Sequence, residues 1–227
     1  LYKFPKEIKN DSLREEVLKI ASHKTCGGVI VQLPLPEHLN KHYILNVIPR
    51  EKDVDVLGER ALGAFYTGRN PVLPPSVGVV EELLKVKNYK LQESCVAVVG
   101  AGFLIGQPIE TWFLGKVKQI FVLDKGNDFS ILKEADVVIS GVGQTGIIKP
   151  EMLKSGSLVI DFGYDNGRGD LDVSSLKPLP DRQAGNTSNL KTFLYTPTPG
   201  GTGPILVAKI FENFFVLNNF VLNNKEK

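Results

Sequence analysis

SCVAVVGAGFLIGQPIETWFLG, residues 94–115, is the stretch that decides the fold. Val96 to Val99 run apolar without polar alternation, the pattern of a strand covered on both faces. Glycines then fall at 100, 102 and 106, and a helix follows. In a strand, glycine loop and helix of this kind, backbone N–H groups at the helix N-terminus can approach a pyrophosphate closely, which a Cβ would block. The spacing is GxGxxxG rather than the tighter GxGxxG, and glycines also serve any tight strand-to-helix turn. Gly100, Gly102 and Gly106 therefore leave both readings open.

Two further features lie along the same sheet edge. Asp124 ends the next apolar run, KQIFVLDKG, eighteen residues beyond Gly106. A carboxylate there can accept hydrogen bonds from the ribose diol of a dinucleotide, or can simply form a turn before Lys125 and Gly126. After the third run, ADVVISGVGQTG, Gly141 and Gly143 let the backbone lie along a cofactor's ribose and nicotinamide. A fourth run, GSLVIDFGYD, completes a series of strands alternating with short helical connections. The expected class is α/β, with a Rossmann-type parallel sheet covered by helices on both faces.

Outside this core, NDSLREEVLKIASHK carries Leu13, Val17, Leu18 and Ile20 at helical spacing behind Asn10 or Asp11 as cap. GGVIVQL, residues 27–33, predicts a strand buried on both faces, halted by Pro34 and Pro36. HYILNVI and PSVGVVEELLKVKNY predict helices. FLYTPTPGGTGPILVAKIFENFFVLNNFVL predicts a strand, a Pro/Gly loop and a long terminal helix.

Composition narrows the function classes. With 27 basic and 25 acidic residues the net charge is +2, and no basic run interleaved with aromatics occurs, so nucleic acid and membrane surfaces are not expected partners. Cys26 and Cys95 form no CxxC pair and have no histidine cluster beside them, so no metal is expected and buried thiols in a reducing cytoplasm are. No run reaches the ~20 apolar residues of a membrane span. The chain starts at Leu1, without a signal-peptide core, and is expected to be a fragment or a processed product.

In order along the chain, GGVIVQLPLP (27–36), PREKDVDVLG (49–58), GAGFLIGQP (100–108), ADVVISGVGQTGIIKPEMLKSGSLVIDFGYD (135–165), GDLDV (169–173) and TPTPGGTGP (196–204) resemble the bifunctional methylenetetrahydrofolate dehydrogenase/methenyltetrahydrofolate cyclohydrolase family. The resemblance covers nearly the whole chain. It implies a smaller α/β folate-binding catalytic domain built from both chain ends, residues 1–80 and 195–227, and an NAD(P)-binding domain over 81–194. It implies that Gln32 hydrogen-bonds the family's reactive lysine and that Asp55 anchors the pterin ring. Pro199, Gly200, Gly201 and Pro204 would line the folate pocket, and Gly100, Ala101, Gly102, Gly106, Asp124, Gly141 and Gly143 the nucleotide. The implied partner is a small-molecule folate, and the implied assembly a cytoplasmic homodimer.

The chain departs from the family at three places. The family's helix with a tyrosine followed four residues later by the catalytic lysine lies upstream of the region matching residues 1–26, and no Tyr-x-x-x-Lys pair is expected here. A segment usually read as PCTPxG is PPSVG, residues 74–78. Ala101 and Gly102 stand where Arg-Ser is frequent, which together with Asp124 favours NAD over NADP. The missing lysine helix also raises the alternative of a non-catalytic folate- or nucleotide-binding remnant.

Overall fold

The computed structural model describes residues 1–174, 176 and 193–225. The chain forms two units, Leu1–Gly78 with Val207–Lys227, and Val79–Leu206.

In the first unit α1 (Asn10–Ser22) buries Leu13, Val17 and Ala21. Lys9 is its N-cap and makes no side-chain cap bond, so neither expected cap acts as one. Asn10 instead accepts the Asn40 N–H through Oδ1 at 2.7 Å, and Asp11 accepts the Tyr43 hydroxyl at 2.9 Å. Both thereby clasp α1 to α2 (Lys41–Leu45), whose own cap is Asn40, accepting Tyr43 N–H at 3.1 Å. Replacing Asn40 with Ala should remove that cap, costing ~1 kcal/mol and lowering the melting temperature by about 2–4 °C. Differential scanning calorimetry checks it, and an unchanged Tm refutes it.

The GGVIVQL segment departs from expectation. It makes one parallel bridge, Val29 to Asp53, with Val29 N–H donating to Lys52 O at 2.8 Å, and is otherwise extended chain. Ile30 is 59% exposed. An apolar run reads as doubly buried only if strands flank it on both sides, and one bridge is all that pairs it among the described residues. An apolar groove of about 650 Å³ lies beside it, walled by Phe4, Leu13, Val17 and Val29.

After α3 (Glu59–Tyr66), α4 (Pro75–Val86) leads from the PPSVG segment into the second unit. There β1 (Cys95–Val99), β2 (Gln119–Leu123), β3 (Val137–Ser140), β4 (Leu158–Asp161) and β5 (Leu194–Tyr195) form a parallel sheet in the order β2-β1-β3-β4-β5. All residues of β3 and β4, and Val96–Val99 of β1, are buried, as strands covered on both faces must be. Ala97, Val99, Val138 and Val159 share one core cluster with Leu132 and Leu153. Between β1 and β2, α5 (Gly106–Phe113) buries Ile109, Trp112 and Phe113. The order reverses between β1 and β3, which places a crevice at their carboxyl ends. Finally α6 (Thr202–Lys225) runs back into the first unit.

Residues 195–206 belong to the second unit, not with the first as expected. The cause is bonding: Tyr195 pairs with Val159 of β4, and the Thr202 hydroxyl donates to the Asp161 carbonyl at 3.1 Å. Residues 177–192, expected in the cofactor domain, lie outside the described residues.

Candidate functional site

The motif residues fall into two groups, each within one unit. In the first unit three of the four residues in Lys52-Asp53-Val54-Asp55 have structural work. Lys52 donates through Nζ to the Ala21 and His23 carbonyls at the end of α1. Asp53 is 2% exposed, and its carboxylate accepts from Leu57 N–H at 3.0 Å and Gly58 N–H at 2.8 Å, donors at the start of α3 that would otherwise be orphaned. The Val54 carbonyl accepts from buried Asn213 of α6, which also donates to Leu73 O.

Asp55 is different. It is half-buried, and no hydrogen bond reaches its carboxylate among the described residues. Burial, followed by the charge of Asp53, pushes its pKa up to about 6. Val56 beside it has φ 56° although it is β-branched and fully buried, a conformation costing ~1–3 kcal/mol that the surrounding core imposes. A carboxylate short of donors, on a turn held from both sides, is ready for a ligand that brings donors.

Gln32 is exposed, its Nε2 donating to its neighbour's carbonyl, Leu33 O, at 3.0 Å. The Tyr-x-x-x-Lys spacing, expected to be absent, does occur once, at Tyr2 and Lys6. Residues 1–9 form no helix and include Pro5, so the spacing does not put the two side chains on one helical face.

In the second unit the glycines divide by duty. A Cβ on Gly106 would overlap the Gly100 carbonyl oxygen, one on Gly141 would come within 2.6 Å of Ile105, and one on Gly100 (φ 92°) within 3.2 Å of the Gly141 backbone. Gly100 and Gly141 let the loops after β1 and β3 press together, while Gly106 lets the start of α5 close against the Gly100 carbonyl of its own loop. By contrast, a Cβ on Gly102 or Gly143 would meet nothing within 4 Å. The space over those two is open to a ligand, so the loops fit a dinucleotide lying along them. Ala101 is half-buried. Asp124 is exposed and serves a turn: Oδ1 accepts Lys125 N–H at 2.8 Å, while its own N–H donates to Asn127 Oδ1 at 2.7 Å.

The loop carrying Pro199, Gly200 and Gly201 is largely exposed, and Pro204 lies in the first turn of α6, where its missing N–H costs nothing. Gly200 has φ 96°, and a Cβ on Gly201 would overlap the Pro197 carbonyl. Beneath the loop sits Asp161, which sequence reasoning missed. It is 2% exposed and accepts Gly163 N–H at 2.7 Å and Leu171 N–H at 2.9 Å. Its pKa is raised by burial, against those hydrogen bonds, which lower it. Asp170 was missed with it. The available signals were an aspartate closing the apolar strand LVID, and glycines at 163 and 169 where a Cβ would overlap the two carboxylates. Among the described residues no group of His, Cys, Asp or Glu is arranged to hold a metal, and no helix is long and apolar enough to cross a membrane.

A family model described as the tetrahydrofolate dehydrogenase/cyclohydrolase NAD(P)-binding domain matches residues 74–220, and one described as the catalytic domain matches residues 1–55. The bifunctional protein FolD of Mycoplasma mobile is 32% identical over 238 aligned positions, covering 99% of this chain and 78% of that protein. Among solved structures, the Trypanosoma brucei methylenetetrahydrofolate dehydrogenase-cyclohydrolase complexed with NADP and an inhibitor superposes with TM-score 0.83 at 26% identity, over 96% of this chain and 75% of that one. The Campylobacter jejuni bifunctional enzyme superposes with TM-score 0.82 at 28% identity, over 96% and 76%.

Proposed function

We propose site roles for a chain that belongs to the tetrahydrofolate dehydrogenase/cyclohydrolase family. The protein oxidises methylenetetrahydrofolate to the methenyl form with NAD(P) and hydrolyses the product to formyltetrahydrofolate. Asp55 anchors the pterin by accepting its paired donors. The single observation supporting this is that Asp55 alone in its tetrapeptide keeps a carboxylate without a hydrogen bond, half-buried and with a raised pKa. Pro199, Gly200, Gly201 and Pro204 flank the folate with little side-chain bulk. Gly102 and Gly143 give the nucleotide access to the backbone, while Gly100 and Gly141 let the two loops pack together, Gly106 lets α5 start against the Gly100 carbonyl, and Ala101 lines the nucleotide. When bound along these loops, the nicotinamide would supply the hydride acceptor. No strong base is needed for that step, because the methenyl cation is stabilised by its two flanking nitrogens, and positioning does most of the work.

Water then adds to the cation and the ring opens. In the family a lysine assists this step, and Gln32 holds it; no lysine among residues 1–227 is assigned that role. The expected result of Gln32→Ala is a three- to five-fold slower ring opening, as for a lost hydrogen bond of ~1 kcal/mol, with hydride transfer unaffected. Assaying methenyltetrahydrofolate hydrolysis beside nucleotide reduction tests it. Equal losses in both would remove Gln32 from the hydrolytic step.

NAD is the preferred cofactor, supported by Ala101 and Gly102 in place of an arginine fork and by the Asp124 carboxylate at the end of β2. Assembly as a homodimer and residence in the cytoplasm are carried from the family, the first testable by light scattering. No observation favours the non-catalytic remnant over the enzyme.

A further inference from the structure

The assignments above leave unused a fully buried carboxylate directly under the loop of Gly141 and Gly143. Asp170 Oδ2 accepts the Ser140 hydroxyl at 2.5 Å and Val142 N–H at 2.8 Å, and Oδ1 accepts Gln144 N–H at 2.8 Å. The straps continue beyond residue 144: Gly146 N–H donates to Gly169 O at 3.2 Å and Ile148 N–H to Asp170 O at 2.9 Å. Every second residue from 140 to 148 is thus tied to the 169–170 segment. Gly163 makes the room, because a Cβ there would overlap the Asp170 carboxyl group.

A buried carboxylate is expensive to desolvate, and three donors converging on it offset that cost only while the loop keeps this shape. The loop it shapes has Gly143 at φ 72° with open space over it, and its Gly141 packs against Ile105 of the first glycine loop. We propose that Asp170 is a positioning residue, holding residues 140–144 in the one conformation that lets the nicotinamide half of the cofactor lie along Gly141 and Gly143. It rests on the assignment of that loop to the cofactor's nicotinamide side.

The test separates the two halves of the cofactor. In Asp170→Asn the carboxamide offers one acceptor atom in place of two, so in either orientation its NH2 faces a backbone or hydroxyl donor, and at least one of the three bonds is lost. Gly163→Ala displaces the carboxylate from the other side with every partner intact, and decides the matter alone should Asp170→Asn not fold. Calorimetric titration of each variant with NAD and with AMP should show the NAD dissociation constant raised about five-fold and that of AMP within about two-fold, since AMP lacks the half that loop touches. NAD binding unchanged in the folded variants, or AMP weakened in proportion to NAD, would overturn the proposal. A wild-type protein that binds AMP no more weakly than NAD would instead overturn the loop's assignment to the nicotinamide side, and the proposal with it.

Discussion

Replacing Asp55 with Asn should weaken folate binding about ten- to hundred-fold while leaving nucleotide binding alone. Loss of hydrogen bonds to a charged, half-buried acceptor costs ~1.5–3 kcal/mol. Two pH effects follow from a pKa of about 6. Only the ionised carboxylate accepts both donors, so wild-type folate affinity should fall roughly ten-fold per pH unit below 6, and the variant should not show that slope. Stability moves in the opposite sense. A carboxyl whose folded pKa exceeds its unfolded value of about 3.9 contributes stability that is full below pH ~4 and lost as pH rises through 6. Asn escapes that loss, so at pH 7 the unliganded variant should be more stable than wild type, by ~1–2 kcal/mol. Weaker binding with greater stability is the signature of a binding residue. Denaturant titration and folate titration across pH 4–8 measure both, and a variant that binds folate normally would put Asp55 outside the pocket.

Asp124→Ser should move cofactor preference toward NADP by about ten-fold. A 2′-phosphate placed ~4 Å from the Asp124 carboxylate is repelled by about 4 kcal/mol per unit charge at an effective dielectric near 20, and a third of that, after screening, is ten-fold. The geometry refines the expectation. Oδ1 is engaged by Lys125 N–H, so Oδ2 is the oxygen left to meet a ribose hydroxyl. The serine also loses that turn contact, so a control, Asn127→Ala, should loosen the turn from its other side without changing preference. Steady-state hydride transfer with both cofactors is the measurement. If wild type prefers NADP, or Asp124→Ser leaves the ratio unmoved, Asp124 is a turn residue and nothing more.

Much of the second unit was legible because its signals are local. Val96–Val99 run apolar without alternation and are buried on both faces, and the glycines after them mark where strand, loop and helix crowd together. GGVIVQL was misread for the same reason, since an apolar run does not report whether both of its edges are paired. Helix α3 was missed because its start is secured from a distance, by the Asp53 carboxylate five residues before Gly58. The site shows the same limit. The residues of Lys-Asp-Val-Asp alone do not tell Asp53 from Asp55, which only the family resemblance singled out; in the fold the N–H groups of Leu57 and Gly58 make Asp53 structural and leave Asp55 free. Asp161 and Asp170 went unassigned because donors that mark them as buried acceptors, Leu171 N–H for the first and Ser140, Val142 and Gln144 for the second, lie ten to thirty residues away in the chain.

Hydride should pass directly from the folate's methylene bridge to the nucleotide. The protein should be given methylenetetrahydrofolate deuterated at the bridge together with NAD, and the reduced nucleotide analysed by mass spectrometry. Deuterium on the nicotinamide, in step with the methenyl product and its hydrolysis to formyltetrahydrofolate, is the predicted result. Reduced nucleotide without deuterium, or none formed while both ligands bind, would contradict it.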